Sequence, residues 1–362
     1  MTGAWEVPDA LREQHERGEI GGRTVQITGA GEVECARYEP APLADGRVRI
    51  RTVRSAVSSG TELTYYGRAA SNVKLHKHWN EALRLFEAGR PGIPYPVTLG
   101  YRAAGEVVAS EHPDAPVGLR VYGKWRHTEL TSMPAAQAAQ QRLADGLSWD
   151  DGVDVAHMGP IGVNAVAFAE GAHVGHPAVV FGAGVVGLIT AQIARADGAD
   201  PVHVVDRLPG RLDIARSLGL DVLDPASVDD ISAALKMRHG PEAIPIAWEC
   251  TGSPLALHES IRTVRRRGAV IAVGFYQGEA AGLFLGDEFH HNGVRLIAGM
   301  IGNLHQSQSW PSLQRRTIDL ALAGPLRLGG LPRLTVPVEE VARGFEALAR
   351  PAEVLQVALA YD

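Results

Sequence analysis

Three glycines and one aspartate have the types and spacing of a turn that binds phosphate and ribose. Gly182, Gly184 and Gly187 form a G-x-G-x-x-G pattern in VVFGAGVVG, and Asp206 ends the next apolar run. Glycine permits the tight turn, lets the backbone approach a pyrophosphate and lets the following helix pack close to its strand. The phosphates then meet free N–H groups at the helix N-terminus. The pattern predicts a dinucleotide site.

The residues around this turn also indicate which dinucleotide binds. A carboxylate at Asp206 accepts hydrogen bonds from the adenosine ribose and repels a 2′-phosphate, so NAD is favoured over NADP. Arg207 and Arg211 keep NADP as the alternative, because a cation beside the ribose accommodates the additional phosphate. Val185 and Val186 complete the predicted phosphate-binding turn.

The elements that must position this turn alternate between strand and helix from about Trp149 onward. PAVVFGAG and PVHVVDR have the pattern of buried strands, while VVGLITAQIARADG and GRLDIARSLG have that of helices, and the alternation returns further along. Repeated βα units joined by short turns predict a parallel, doubly wound sheet. We assign this Rossmann dinucleotide-binding domain to residues 156–299.

The N-terminal part, residues 1–155, consists of short β-branched runs broken by Gly and Pro, which predicts a mostly antiparallel β domain. We expect residues 300–362 to complete it. One stretch, NVKLHKHWNEALRLFEAG, has apolar residues at helical spacing and predicts an inserted helix, either packed on the surface or acting as a lid. These apolar residues are Val73, Leu75, Trp79, Leu83 and Phe86.

Composition excludes several classes of protein. The 362 residues suit two domains, the net charge is −6, and the one dense basic run, residues 265–267, follows a helical pattern, so we expect no nucleic-acid partner. The 2 cysteines, Cys35 and Cys250, exclude a disulfide scaffold and a four-cysteine zinc lobe. No apolar run is long enough to span a membrane and the N-terminus has no signal-peptide core, so we expect a cytoplasmic protein.

Several short motifs in the right order resemble the medium-chain dehydrogenase/reductase family. Ser59-Gly60-Thr61-Glu62 stands where that family has Cys-Gly-Thr-Asp, and GYRAAG, residues 100–105, stands where it has Gly-His-Glu-x-x-Gly. WECTG and RRGAVIAVG follow the fingerprint. The resemblance covers nearly the whole chain and implies an α/β fold, with a Rossmann sheet and a GroES-like β-barrel catalytic domain. Together with FHHN, these motifs are loosely similar to a zinc-independent branch that includes bacteriochlorophyllide dehydrogenase.

The departures from the family pattern concern its catalytic metal. Where zinc members have a cysteine, a histidine and a third ligand, this chain has Ser59, Tyr101 and about His157 or Met158. A serine hydroxyl and a tyrosine are poor zinc ligands beside thiolate and imidazole. We therefore expect a site without zinc or any other metal.

Without a metal, side chains must stabilise the alkoxide and move the proton. By resemblance Thr61 matches the family's hydroxyl that touches the substrate oxygen, and Tyr101 and His157 are candidate proton donors or acceptors. His157 is the first choice, since histidine titrates nearest to neutral pH. Glu62 would orient or tune these groups. In the structural alternatives, His157 satisfies a backbone group, Tyr101 fills the vacated volume, and Arg102 pairs with Glu62.

The resemblance also implies residues further along both binding sites. Cys250 and Thr251 would border the nicotinamide ribose, and Cys250 is not expected to be a nucleophile because nothing adjacent lowers its pKa. Gly274, Phe275 and Met300 are the remaining expected cofactor residues. The polar and aromatic residues expected to line the substrate site are Tyr66, Trp125, His290 and Asn303, with His291, Asn292, His305 and Gln306 as further candidates.

Three functions fit these residues. The first is an NAD-dependent dehydrogenase that interconverts a secondary alcohol and a ketone on a polar metabolite, such as a sugar, a cyclitol or a natural-product intermediate. The second is an NAD(P)H-dependent reductase of an activated C=C bond, of the enoyl or quinone reductase type. The third is a dinucleotide-binding protein without catalysis. By resemblance we expect a homodimer that acts on a small molecule.

Overall fold

A computed structural model describes residues 22–67, 77–89, 95–352 and 354–361. Their contacts divide them into two compact units. The first unit comprises the described residues of 22–67, 95–157 and 333–361, and the second those of 77–89 and 158–332. Among the described residues, no helix is both long and apolar enough to cross a membrane.

The strands are numbered in chain order: β1 (Gly22–Gly29), β2 (Glu32–Tyr38), β3 (Arg47–Val57), β4 (Lys77–Asn80), β5 (Leu85–Ala88), β6 (Val97–Thr98), β7 (Ala103–Ala109), β8 (Arg120–Gly123), β9 (Leu130–Pro134), β10 (Ala178–Phe181), β11 (Val202–Val205), β12 (Asp221–Leu223), β13 (Ile246–Glu249), β14 (Ala269–Ala272), β15 (Arg295–Ala298), β16 (Leu334–Pro337) and β17 (Val357–Ala360).

The α-helices are likewise numbered in chain order: α1 (Glu62–Tyr66), α2 (Ala135–Gln140), α3 (Trp149–Ala156), α4 (Met158–Ala167), α5 (Val185–Ala196), α6 (Pro209–Ser217), α7 (Ile231–His239), α8 (Pro254–Thr263), α9 (His290–Asn292), α10 (Trp310–Ala323) and α11 (Val341–Leu348). A π-helical turn, Leu285–Phe289, precedes α9.

The second unit is built on a parallel six-stranded sheet in the order β12-β11-β10-β13-β14-β15. Strands β10, β11 and β13 are buried along their whole length, as expected for strands covered by helices on both faces. The strand order reverses between β10 and β13, which is the arrangement of a doubly wound dinucleotide-binding fold. The predicted Rossmann fold is therefore confirmed.

The first unit is mostly antiparallel. Strands β17, β3, β7 and β8 are neighbours in one sheet, and β2-β1-β6 form a second. Buried apolar side chains from β1, β3, β16, β17 and α11 share one core, including Val25, Ile27, Val57, Val336 and Phe345. Strand β17, near the end of the chain, pairs with β3 of the N-terminal part.

The return to the first unit begins at Arg333 rather than at residue 300. Helix α10 packs against α4 inside the second unit, and a Cβ at Gly159 would lie only 2.2 Å from the Thr317 side chain. This close helix contact keeps the segment that follows β15 with the nucleotide-binding sheet.

The predicted helix in the insertion is wrong. Its described part is a hairpin of β4 and β5, in which Trp79 and Phe86 are cross-strand partners with ring centroids 5.0 Å apart. The Asn80 side chain accepts a hydrogen bond from the Leu83 N–H in the turn, at 3.0 Å. Cross-strand aromatic pairs stabilise a hairpin, and a short apolar run does not distinguish helix from strand. Val73 and Leu75 lie outside the described residues.

Candidate functional site

The glycine turn lies between β10 and α5. Gly182 has a φ of +101°, a region that favours glycine, and its N–H donates to the Val205 carbonyl at 2.7 Å. A Cβ at Gly187 would lie 1.8 Å from the Gly182 carbonyl oxygen. Glycine at these two positions therefore allows the helix to start this close to its strand.

Gly184 faces open space. A Cβ there would have Arg211 Nη1, at 3.8 Å, as its nearest protein atom. Gly184 is the N-cap of α5, and Val185 and Val186 are the first residues of that helix. Because the first N–H groups of a helix have no intrahelical partner, this end offers donors to a phosphate.

The Asp206 carboxylate is held by the backbone at the end of β11. One oxygen accepts from the Ala183 N–H at 2.7 Å and the other from the Leu208 N–H at 2.9 Å. The Arg211 Nε is buried without a hydrogen-bond partner, and burial lowers the pKa of Arg211 although Asp206 opposes this shift. Arg207 is exposed. An unpaired guanidinium donor, a carboxylate and an open helix end together fit a dinucleotide.

A buried carboxylate organises the loops that follow β13 and β14. Glu249 accepts from the Thr251 N–H at 2.7 Å and the Gly252 N–H at 3.1 Å, and also from the hydroxyl groups of Thr251 and Tyr276. A Cβ at Gly274 would lie 2.2 Å from the Gly252 nitrogen. These contacts fix the position of both loops.

Three further expected cofactor residues lie in the same unit. Burial and the Glu249 carboxylate raise the pKa of the Cys250 thiol, so that it is neutral at physiological pH. The expectation that Cys250 is not a nucleophile agrees with this shift. The side chains of Phe275 and Met300 are 43% and 61% exposed.

Tyr101 and His157 lie side by side in the first unit. Their ring centroids are 4.5 Å apart, at an interplanar angle of 62°. The side chains of Ser58 and Thr61 are near enough to Tyr101 to act on its pKa, which they lower against the effect of burial. Ser59 is exposed in the turn between those two residues. The structure therefore brings Thr61, Tyr101 and His157 into one group, which we call the Tyr101 cluster.

The electrostatics of the Tyr101 cluster disfavour His157 as the acid or base. Burial, Lys124 and Arg102 lower the pKa of His157 to about 3, so its imidazole is neutral throughout the physiological range. Burial and Glu62 raise the pKa of Tyr101, which keeps its phenol protonated. The neighbouring Lys124 is exposed at the surface, and partial burial lowers its pKa to about 8. The choice of His157 as acid/base stays a prediction, which this low pKa disfavours.

The alternative in which Arg102 pairs with Glu62 is wrong. Arg102 is 2% exposed and donates to Asp154 Oδ1 at 3.0 Å and to the carbonyls of Ala56 and Val57. Asp154 lies on α3, where its other oxygen accepts from Arg333 at 3.0 Å. Glu62 pairs instead with His127, at 2.9 Å.

The expected substrate residues are dispersed. Trp125 is 8% exposed and belongs to the core of the first unit, where its Nε1 donates to Thr52 at 2.9 Å, so the structure places it in packing rather than in a pocket. The Tyr66 ring packs on Phe345, with centroids 5.1 Å apart. His290 and Asn303 are exposed in the second unit.

The donor set at the family's metal positions does not fit zinc. Ser59 offers a hydroxyl, Tyr101 a protonated phenol and His157 a single imidazole, whereas catalytic zinc takes three ligands from imidazole, thiolate and carboxylate. Across the described ranges, the one group of three His, Cys, Asp or Glu side chains with ligand atoms within 4.8 Å of one another is His258, Asp287 and Glu288, in the second unit.

Sequence reasoning missed four residues around the Tyr101 cluster: Lys124, His127, Asp154 and Arg333. Each is brought to the cluster by a strand pairing or helix contact that no local motif reports. The only available signal was chemical, because a buried arginine replacing the family's glutamate requires an acidic partner.

Comparison with known proteins places the chain among dehydrogenases. Residues 185–317 match the family model described as zinc-binding dehydrogenase. The chain is 30% identical to (R,R)-butanediol dehydrogenase of Bacillus subtilis (strain 168), over 44% of this chain and 45% of that relative, which is less than half its length. It is 29% identical to D-guloside 3-dehydrogenase of Escherichia coli (strain K12), over 72% of this chain and 75% of that one. The crystal structure of 2R,3R-butanediol dehydrogenase from Bacillus subtilis matches at a TM-score of 0.74 and 20% identity, covering 94% of this chain and 100% of the other.

A doubly wound sheet with a glycine turn, together with a β unit carrying a Ser-Gly-Thr-Glu turn, defines a two-unit dehydrogenase fold. In its fold and in these similarities the chain resembles the medium-chain dehydrogenase/reductase family, among the zinc-type alcohol dehydrogenase-like proteins. The matched family model begins at residue 185 and so does not include Ser59, Tyr101 or His157. The narrower likeness to bacteriochlorophyllide dehydrogenase stays a prediction.

Replacing Gly184 with alanine tests the open end of α5. The new methyl group meets no protein atom closer than 3.8 Å, so the melting temperature should be unchanged. It occupies the space that a pyrophosphate needs, so NADH binding measured by fluorescence titration should weaken about tenfold or more, at least 1.4 kcal/mol. Gly210→Ala, where a Cβ also meets nothing within 4 Å, is the matched control and should leave binding unchanged. Wild-type NADH affinity in Gly184→Ala would contradict the site.

Proposed function

We propose that the protein is an NAD-dependent dehydrogenase that interconverts a secondary alcohol and a ketone on a polar metabolite, without catalytic zinc. The Tyr101 cluster and the neighbouring Lys124 carry this proposal, because together they combine a protonated phenol, a neutral imidazole and an amine of lowered pKa. Residues 158–332 would hold the dinucleotide, and the unit containing the Tyr101 cluster would handle the proton.

Oxidation of an alcohol needs a hydride acceptor and a proton acceptor. Bound NAD would supply the hydride acceptor. Tyr101 and Thr61 would hold the substrate oxygen by hydrogen bonds, and the neutral His157 ring would orient it. Lys124 would accept the proton, since a pKa of about 8 leaves part of it neutral near physiological pH.

The preference for NAD rests on Asp206. Its carboxylate is fixed by two backbone N–H groups, so it stays where a 2′-phosphate would have to lie. Arg211, with its unpaired Nε, would donate to the ribose and not to a phosphate, because the Asp206 charge lies beside it.

A polar, hydroxylated substrate is supported by the relatives, whose names specify butanediol and a guloside. The absence of catalytic zinc is supported by the donor set of Ser59, Tyr101 and His157. That same donor set favours one second candidate, reduction of an activated C=C bond, because a conjugated acceptor is already polarised.

A homodimer is supported by β15, the outer strand of the parallel sheet. Three of its four residues are exposed, and the Leu296 side chain is 40% exposed. An unpaired edge offers N–H and C=O groups to the same edge of a second copy. We propose a cytoplasmic homodimer.

Steady-state assays with both nucleotides test the proposed function. With secondary polyols as substrates, kcat/KM should be about tenfold or more higher with NAD than with NADP, a difference of at least 1.4 kcal/mol. Asp206→Ala should lower the ratio of kcat/KM with NAD to kcat/KM with NADP, because it removes the carboxylate that repels the 2′-phosphate of NADP. NADPH-dependent reduction of an enone with no alcohol oxidation would support the second candidate. Nucleotide binding without turnover on either substrate class would contradict catalysis.

The pH profile tests Lys124. A base must be neutral to accept a proton, so kcat for oxidation should rise with pH and level off above about 8. Lys124→Met keeps the apolar stem and should lower kcat roughly 10²-fold while removing this pH-dependent step. Arg126→Gln changes an exposed cation two residues away and is the control. An unaltered pH profile in Lys124→Met would exclude Lys124 as the base.

A further inference from the structure

His127 joins the two chain segments that form the Tyr101 cluster. Its backbone N–H donates to the Leu99 carbonyl at 2.8 Å, next to Gly100 and Tyr101. Its imidazole Nε2 lies 2.9 Å from Glu62 Oε1, next to Thr61. One residue therefore contacts the neighbours of both side chains proposed to hold the substrate oxygen.

The backbone of residue 127 packs closely against Gly100, next to Tyr101. Gly100 has a φ of +113°, and a Cβ there would lie 2.2 Å from the His127 nitrogen. The His127 carbonyl in turn accepts from the Val25 N–H at 2.9 Å and from the Thr24 hydroxyl at 3.2 Å. The backbone of residue 127 is thus fixed on β1 and holds the Leu99–Tyr101 loop in place.

The contact on the Thr61 side is fully buried. Glu62 is 1% exposed and its Oε2 accepts from the Ser58 N–H at 2.6 Å. His127 Nδ1 lies 2.8 Å from Ser55 Oγ, which lies 3.1 Å from the Tyr361 hydroxyl. Burial raises the pKa of Tyr361, so that hydroxyl is protonated and can donate to Ser55.

These atoms form a continuous hydrogen-bond chain. With a neutral imidazole protonated on Nε2, Tyr361 donates to Ser55, Ser55 donates to His127 Nδ1, and His127 Nε2–H donates to Glu62. In this arrangement the imidazole orientation is set on both sides. The Glu62 carboxylate is then fixed by two donors, His127 and Ser58.

We propose that His127 is a positioning residue of the active site, which fixes Thr61 and Tyr101 relative to each other through Glu62 and Leu99. The inference rests on the proposed function for its catalytic consequence. Glu62 stands where the family has an aspartate, and its partner His127 lies outside the motifs that carry the resemblance. A displacement of about 1 Å at reacting groups can lower turnover about 10²-fold.

Kinetics of His127 variants test the positioning role. His127→Phe should lower kcat about 10²-fold and leave the KM for NAD unchanged, because the dinucleotide residues lie in the other unit. His127→Gln retains a donor for Glu62 and should recover part of kcat. Tyr38→Phe, which removes hydroxyl hydrogen bonds to Thr128 and Leu130 in the same unit, controls for loss of stability and should keep wild-type kcat.

A paired replacement separates folding from positioning. His127→Phe leaves the Glu62 carboxylate buried without its imidazole partner, which destabilises the unit. The double variant Glu62→Leu/His127→Phe removes both partners and should recover the melting temperature but not kcat. Recovery of kcat with the melting temperature would show that His127 acts only through stability and would overturn the proposal.

Hydrogen exchange gives a readout that does not depend on activity. Backbone amides of residues 58–66 should exchange faster in His127→Phe than in wild type, and not in Tyr38→Phe, whereas residues 99–102 should change less because the backbone hydrogen bond from residue 127 to Leu99 remains. Unchanged exchange in residues 58–66 would refute the positioning role even if the wild-type enzyme proved active. Faster exchange in His127→Phe, combined with a wild-type protein that oxidises no alcohol, would retain the positioning role and reject the proposed function instead.

Discussion

The carboxylate of Asp154, buried between two guanidinium groups, is the interaction on which the first unit depends. Arg102 and Arg333 each donate to one of its oxygens at 3.0 Å. Arg102 also holds the carbonyls of Ala56 and Val57, just before the Ser-Gly-Thr-Glu turn. Removing one member of such a buried network typically costs ~3–5 kcal/mol, because the remaining charge stays buried. Asp154 and its two arginine partners therefore join the end of β3, helix α3 and the C-terminal segment that begins at Arg333.

In the proposed zinc-free site, this network occupies the positions of the family's metal ligands and their neighbours. Arg102 stands where zinc members have a glutamate, and its charge both requires Asp154 and helps to lower the pKa of His157. Burial, with the neighbouring Glu62, raises the pKa of Tyr101. Burial is the largest cause of both shifts, and the nearby charges act in the same direction, so the phenol is protonated and the imidazole is neutral. A neutral imidazole and a phenol are hydrogen-bonding groups, so in our proposal the proton passes to the Lys124 amine.

Much of the fold was predictable because it depends on local patterns. The glycine spacing, the acid after the second strand and the alternation of strand and helix predicted the doubly wound sheet, and Gly182 and Gly187 have the geometry that this pattern requires. The hairpin of β4 and β5 was not predicted, because the spacing of Trp79, Leu83 and Phe86 also fits one face of a helix. The return of the chain was predicted, but not its start at Arg333, which depends on how closely α10 packs on α4.

The site was only partly predictable, for a related reason. Motif positions indicated Thr61, Tyr101 and His157, and the structure brings them together. The pKa of His157 depends on burial and on Lys124 and Arg102, and neither effect is visible in the motif itself. One structural alternative paired Glu62 with Arg102, but the partner of Glu62 is His127, which reaches it from the loop after β8. Such pairings depend on the register of distant strands.

Metal content and turnover, measured on the same preparation, test the proposed zinc-free chemistry most directly. The His258→Asn variant disrupts His258, Asp287 and Glu288, the one group of possible metal ligands found in the described residues. Any zinc that this variant retains would then be assigned to the Tyr101 cluster. We predict that chelator-treated His258→Asn contains far less than one zinc per chain and oxidises alcohols at the untreated rate. One zinc per chain that is lost together with activity on chelation, and is absent from His157→Asn, would contradict the account.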